Sequence, residues 1–341
     1  MRYHPALSET FVRDELCALH AAGANVSLAA FDPRDDVDVS LPFPVHAQPH
    51  RWGWIRELPG LILEWLRSPG WVSPRVLWLA RLARTATRLH VHFAGEAAAW
   101  AREACRRARV PYSVTVHAAD LFKPHALLDA VLRDAIAVAT ISEFNRQQIL
   151  RAYGVATELL RMTVDLPGLG VPELPPVVLT AGRAVPKKGF DLVATVAARL
   201  DRPARVVAFG NLPDTPGVDV RGLRPHADVL AAMATATVFV LPCRVAPDGD
   251  MDGIPVVLVE ALAHGVPVVT TAVSGIPELV DGDVGWVVPA DDAEALLMAV
   301  RAALDDPGEA RRRGAAGRQR VIERGFARDH TAAGLRRFLG A

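Results

Sequence analysis

An alternation constrains the fold of this chain more than any other feature. Short apolar, β-branched runs are separated by longer Ala/Leu/Arg stretches of helical period. Strands are expected at Ala24–Phe31, Leu89–Phe93, Tyr112–Val116, Ile136–Ser142, Val177–Ala181, Arg205–Phe209, Val238–Leu241 and Pro267–Thr271. Helices are expected between them, at Ser8–Ala21, Gly95–Ala108, Glu143–Tyr153, Gly189–Leu200, Ala227–Ala236, Val257–His264, Asp292–Leu304 and, last, roughly Phe326–Leu339. Strands that are apolar almost throughout need cover on both faces, which means parallel sheets between layers of helices. The class is therefore α/β, with ligands expected beyond the carboxyl ends of the strands. A chain of 341 residues exceeds what one hydrophobic core usually supports. The aperiodic, Pro- and Gly-dense run Leu166–Pro176 is where it divides.

Charge excludes one class of partner. The 38 basic residues cancel the 38 acidic ones, so no global field favours nucleic acid. Cys17, Cys105 and Cys243 are far apart and lack ligand spacing, which suits buried thiols in a reducing compartment. No signal peptide precedes the first turn, and every apolar run is interrupted before the roughly 18 residues needed to span a bilayer. A cytoplasmic protein is expected. The basic stretch Arg311, Arg312, Arg313, Arg318 and Arg320 reads as a solvated helix face.

Three segments can carry chemistry. In the first, Asp252-Gly253-Ile254-Pro255 leads through an apolar run to Glu260. Backbone amides from Gly253 to Val257 would sit at a helix N-terminus, where phosphate binds. A carboxylate there can accept from two sugar hydroxyls. The second, Gly182-Arg183 to Lys187-Lys188-Gly189, falls between a strand and a helix and would set Arg183 and Lys188 over one crevice, against a diphosphate. The third ends a strand with Thr115-Val116-His117-Ala118-Ala119-Asp120. Taken singly, each has a structural alternative: a capped core helix, a polar surface loop, and a loop-bonding histidine.

Together these segments resemble the family 4 glycosyltransferases, retaining enzymes of the GT-B fold. That fold has two Rossmann-like domains with parallel sheets facing a central cleft. The resemblance covers nearly the whole chain and is most specific over Val177–Pro289, where LTAGRAVPKKGFDLV, VFVLPC, DGDMDGIPVVLVEALAHGVPVVTT and VSGIPELVDGDVGWVVPADD follow in order. LSETFVRDEL and TISEFNRQQI look like the exopolysaccharide-type subgroup. The resemblance implies an N-terminal acceptor-binding domain over 1–166 and a nucleotide-sugar domain over 167–325. A C-terminal helix over 326–341 would pack back towards the first domain. By the same likeness Asp252 contacts the donor sugar and Glu260 the ribose. Arg183 and Lys188 hold the diphosphate, and His117 lies near the anomeric centre. The backbone around Gly253, Ile254, Val256 and Val257 touches the phosphates or sugar, and main chain near Arg221-Gly222-Leu223 holds the base. In two places the pattern departs: Asp252 stands where Glu is usual and Cys243 where Ser is common. The amino end also lacks most of the family's first strand.

The expected reaction is transfer with retention from a nucleoside-diphosphate sugar, UDP-sugar favoured over GDP-sugar, to a glycan, lipid-linked or small-molecule hydroxyl. No cofactor and no metal is implied, since the nucleotide sugar is a substrate and cations stabilise the leaving diphosphate. The Asp248/Asp250 pair lies within the loop matching the family's non-metal loop. The alternative is a catalytically degenerate GT-B protein that binds nucleotide or glycan without turnover. On the acceptor side, Thr10, Asp120, Trp52 and Trp54 are the candidates. Five of the seven tryptophans and seven arginines against two glutamates fall in Arg51–Arg88. Such a segment suits either peripheral contact with the inner face of the membrane or packing of the region onto the sheet.

Overall fold

The structure, a computed structural model, describes residues 10–31, 41–49, 53–67, 69–70, 72–201 and 203–340. Contacts divide it into two compact units. The first holds the chain to Ile141, then Asn145–Leu160 and the last helix from Ala332; the second holds Ser142–Phe144 and Arg161–Thr331.

The first unit runs α1 (Thr10–Ala21), β1 (Leu28–Ala30), β2 (Val45–Ala47), α2 (Gly53–Arg67), α3 (Pro74–Ala83), β3 (Leu89–His92), α4 (Glu96–Ala108), β4 (Tyr112–Val116), α5 (Ala118–Phe122), α6 (Leu128–Asp134), β5 (Ala137–Thr140), α7 (Glu143–Tyr153, whose first two residues group with the second unit) and β6 (Glu158–Leu159). Strands β3, β4, β5 and β6 form a parallel sheet in that order, while β1 and β2 pair separately. All five residues of β4 are buried, as a strand covered on both faces requires. On α4, Ala97, Ala98, Ala101, Ala104 and Ala108 recur at helical spacing and are buried, so this helix lies close to its neighbours. Phe31 meets Trp78 and Trp100 edge-on, with ring centroids 5.5 and 4.8 Å apart.

The second unit runs β7 (Val177–Ala181), a 3-10 turn over Pro186–Lys188, α8 (Phe190–Arg199), β8 (Arg205–Phe209), β9 (Val218–Val220), α9 (His226–Met233), β10 (Val238–Leu241), α10 (Val256–Ala263), β11 (Val268–Thr271), a 3-10 turn over Ile276–Glu278, β12 (Gly285–Val288), α11 (Ala293–Asp305) and α12 (Pro307–Glu323). Its sheet is parallel in the order β12-β11-β10-β7-β8-β9. The chain leaves β7 in one direction through β8 and β9, then returns to its other side as β10. The strand order therefore reverses between β7 and β10, and ligands bind beyond the carboxyl ends at such a point. The final helix α13 (Arg328–Leu339) places Leu335 and Phe338 with Leu19 and Ala139 in the first unit, where Arg88 donates to Phe338 O at 2.8 Å.

Helices α2, α3, α5 and α6 lie outside the expected set: Pro59 and Gly60 interrupt the period of α2, and α3, α5 and α6 are short, while α12, marked in sequence only by its arginine face, has its apolar period broken by Gly314 and Gly317. The α12 glycines have a packing reason. A Cβ on Gly314 would fall 1.9 Å from Gly265 O, and one on Gly317 would fall 2.4 Å from Leu262 Cδ2. Only bare backbone lets α12 lie this close to α10. The arginines of α12 are also less solvated than their run suggests. Arg318 donates to Ala263 O at the end of α10, Arg320 pairs with Asp281 at 2.9 Å, and Arg313 covers the Trp286 ring at 4.3 Å. Only Arg311 and Arg312 are exposed.

Candidate active site

Helix α10 is buried along Leu258–Ala263, and Glu260 is the single ionisable side chain in it. Pro255 caps the helix and has no N–H of its own. The first intrahelical bond is donated by Leu258 to Pro255 O (3.0 Å), so the amides of Val256 and Val257 precede the ladder. Gly253 and Ile254 are buried in the entry turn, and Val256 and Val257 are half-buried. The sequence reading of a helix N-terminus at these residues matches the local backbone.

The loop after β7 is pressed onto the loop after β10. Gly189 has φ of +66°, and a Cβ there would lie 2.2 Å from Pro242 O. That close approach carries Lys187 and Lys188 to the aspartates of the second loop. Lys188 Nζ lies 2.7 Å from Asp252 Oδ2, while Lys187 Nζ lies 3.3 Å from Asp252 Oδ1 and 3.0 Å from Asp250 Oδ1. Burial works to raise the Asp252 carboxyl, but the two ammonium groups outweigh it and hold the acid below its usual range. The neighbouring Cys243 thiol, 4.0 Å from Asp252 Oδ2, is pushed up to about 12 by burial and stays protonated near neutrality. Sequence reasoning assigned Lys188 to phosphate and Asp252 to sugar; the structure joins them. It also adds Lys187, to which the sequence reading gave no role, and Asp250, which it placed only in the family's non-metal loop. Their separation by 63 positions gave no signal.

Glu260 is 6% exposed. Its Oε1 accepts from His226 Nε2 at 2.8 Å, and its Oε2 is buried without a partner. His226 opens α9 and was also missed. Arg183 is exposed, with no ion-pair partner among the described residues, at the mouth of the β7 loop. Arg221 donates its amide to Ala208 O (2.8 Å), Gly222 O accepts from Gly210 N (3.0 Å), and Leu223 is 67% exposed. The segment proposed for the base thus lies at the carboxyl end of β9, its backbone tied to β8.

His117 and Asp120 belong to the first unit. His117 follows β4 and is buried against Phe93 and Phe11, ring centroids 4.3 and 5.3 Å away. Burial, then His90, pushes its pKa down to about 3, so the ring is neutral, and its Nε2 is buried without a partner. Asp120 accepts from His117 N at 2.8 Å, and burial raises its carboxyl to about 6. This is the geometry of a cap on α5. His92 stacks near His117 at 5.9 Å and lies 3.5 Å from Glu15, whose carboxyl burial raises to about 8. Neither His92 nor Glu15 was singled out from sequence.

Among the acceptor-side candidates, Trp52 lies outside the described residues, and so does the side chain of Thr10, the first residue of α1. Trp54 is half-buried and packs on the core of the first unit, and Trp78 is 3% exposed. The outward face of α2 is instead made by Ile55, Leu58, Ile62, Leu63, Trp65 and Leu66. No helix among the described residues is long and apolar enough to cross a membrane.

Known proteins share both halves. A family described as Glycosyltransferase Family 4 matches residues 8–164, and one described as Glycosyl transferases group 1 matches residues 175–306. The amylovoran biosynthesis glycosyltransferase AmsK of Erwinia amylovora is 39% identical over 153 residues, 44% of this chain and 34% of that protein, so the match spans about a third of AmsK's length. The alpha-maltose-1-phosphate synthase of Mycobacterium tuberculosis is 30% identical over 310 residues, 72% of this chain and 77% of that one. Among solved structures, Anabaena HepE in complex with UDP and glucose superposes with a TM-score of 0.76 at 16% identity, over all of both chains.

Proposed function

This chain belongs to family 4 of the glycosyltransferases, and we propose that it moves a hexosyl unit, with retention, from a nucleoside-diphosphate sugar to a hydroxyl acceptor. Its α/β class, with a parallel sheet in each of two Rossmann-like units, is that of the GT-B fold. The observation that carries the proposal is the convergence of Lys187, Lys188 and Asp252 where the strand order of the second unit reverses, with the buried Glu260 on the helix that follows.

When the bond to the anomeric carbon breaks, negative charge grows on the departing diphosphate. Lys188, Arg183 and the amides of Val256 and Val257 are the groups we assign to it, the amides held in place by the start of α10. Asp252 is assigned to the sugar hydroxyls and Glu260 to the ribose. His117, with its neutral ring and unpartnered Nε2, is the residue the family pattern sets near the anomeric centre. Retention then follows from attack on the face the leaving group vacates, the diphosphate accepting the acceptor's proton. No pair of carboxylates flanking the bond is needed, unlike in glycoside hydrolysis. The cations of the site do the work a divalent metal would otherwise do.

For the donor we favour a UDP-sugar, in line with the nucleotide bound to HepE. For the acceptor we favour a glycan on a lipid carrier, presented at an anionic membrane surface. In support, the outward face of α2 is apolar and its exposed Arg56 and Arg67 flank it. Both acids of the helix are occupied: Glu57 by Arg81, and Glu64 by Arg84 at 2.6 Å and more distantly by Arg67 at 3.5 Å. Incubation with UDP-, GDP- and dTDP-sugars, following release of nucleoside diphosphate with and without EDTA, tests the reading. No release from any donor, with tight nucleotide binding retained, would leave a binding protein instead.

A further inference from the structure

Glu260 presents a carboxylate whose two oxygens are not equivalent. It sits in a helix whose neighbours Leu258, Val259, Ala261, Leu262 and Ala263 are all buried, a setting in which a charge is costly unless hydrogen-bonded. His226 supplies that bond at 2.8 Å, and because a carboxylate only accepts, the imidazole Nε2 carries the proton. The ring is about one quarter exposed and begins α9, so it stands between solvent and the carboxylate. His226 also bears on a second acid: the Asp165 carboxyl is lowered first by the hydrogen bond from Arg328, with His226 adding through space. The remaining oxygen, Glu260 Oε2, is buried and has no partner.

We infer that His226 is a positioning residue for the nucleoside end of the site: by occupying one oxygen of Glu260 it leaves the other as the single acceptor for a ribose hydroxyl. This rests on the donor-site reading above. A carboxylate that chelated the two ribose hydroxyls with one oxygen each would need both oxygens open. Here one is filled from within the protein and its plane is fixed by the imidazole. The two hydroxyls of the ribose are therefore held unequally, one by an ionic hydrogen bond and the other by weaker contacts.

The test compares UDP, 2′-deoxy-UDP and 3′-deoxy-UDP binding by calorimetry, and donor KM and kcat, in the full chain. Wild type should lose roughly tenfold or more in affinity for one deoxy analogue and only about threefold for the other, the contrast expected of losing a charged against a weak hydrogen bond. In His226→Ala the carboxylate is released: UDP binding and donor KM should worsen about tenfold, the contrast between the analogues should shrink, and kcat should stay within about threefold. His226→Gln keeps an N–H donor and should recover most of the contrast. Wild-type affinity and contrast in His226→Ala would overturn the inference. So would a loss confined to kcat, or a loss shared equally by all three nucleotides. A wild-type protein that binds none of the three, nor GDP or dTDP, would instead sink the donor-site reading, and this inference with it.

Discussion

Lys188 Nζ and Asp252 Oδ2 are 2.7 Å apart, so the cation assigned to the diphosphate and the acid assigned to the sugar are paired with each other. A bound donor has to draw on both members of this pair, which sets up a competition. Asp252→Asn should release Lys188: affinity for UDP alone, which has no sugar, should hold or improve up to about tenfold, while turnover falls by about a hundredfold. Calorimetry with UDP beside donor-turnover assays checks the split. Parallel loss of both would show that Asp252 holds the loop rather than the sugar.

Lys187 is the inner of the two lysines, bridging Asp250 and Asp252 with about a tenth of its side chain exposed. Lys187→Met leaves two largely buried acids short of a cation and should cost about 2–4 kcal/mol in urea unfolding. Adding Asp250→Asn to it should restore part of that loss, because one of the two negative charges facing the lost cation is then removed. Absence of any such coupling would show that the two residues act independently.

Gly189 occupies a left-handed turn with its α-carbon against Pro242 O. Gly189→Ala brings a Cβ into 2.2 Å of that oxygen, so the two loops must part. Thermal unfolding should report a loss of about 2 kcal/mol or more. Nucleotide affinity should fall with it, since the lysines ride on this contact.

In the first unit the titrating groups work in opposite directions. Folded His117 and His90 have pKa values near 3 and 4, and His92 is also well below its ordinary 6.5. As the pH falls below 6.5 the unfolded chain takes up protons that these buried rings refuse, so stability drops towards acid. Glu15 behaves oppositely: from 4.5 up to about 8 its folded form keeps a proton the unfolded chain has lost, so stability falls as pH rises. A maximum near neutrality follows. Glu15→Gln should remove the alkaline decline, worth about 1–2 kcal/mol between pH about 6.5 and about 8, measured by urea midpoints. An unchanged decline in that variant would locate its source elsewhere.

For the membrane contact, vesicles containing phosphatidylserine should co-sediment the protein, and neutral vesicles should do so more weakly. Ile62→Glu with Leu66→Glu on the outward face of α2 should cut that binding about tenfold or more without affecting the thermal midpoint. Binding that survives both changes would remove α2 as the contact.

Much of the second unit was legible in sequence, because its strands are buried runs and its motif residues lie close together in the chain. Val177–Ala181, Arg205–Phe209 and Val238–Leu241 fall where the pattern placed them. Ala24–Phe31 shortened to Leu28–Ala30, since among the described residues β1 pairs only with the short β2. What sequence could not supply were partners remote along the chain. Lys187 finds Asp250, and His226 finds Glu260, only after the β7, β9 and β10 loops gather at one end of the sheet. Likewise the tryptophans of 51–88 look alike in sequence, yet Trp78 is core and Trp65 faces outward.

The glycines of α12 carry a practical consequence for anyone cutting this protein down. Gly314 and Gly317 let that helix serve as the floor on which α10 rests, and Arg318 fastens α10 at its far end. A nucleotide-binding fragment trimmed to the recognisable motif block, stopping near Pro289, would therefore contain every residue of the donor grip but not the surface that levels it. The smallest transplantable version has to run on through Glu323.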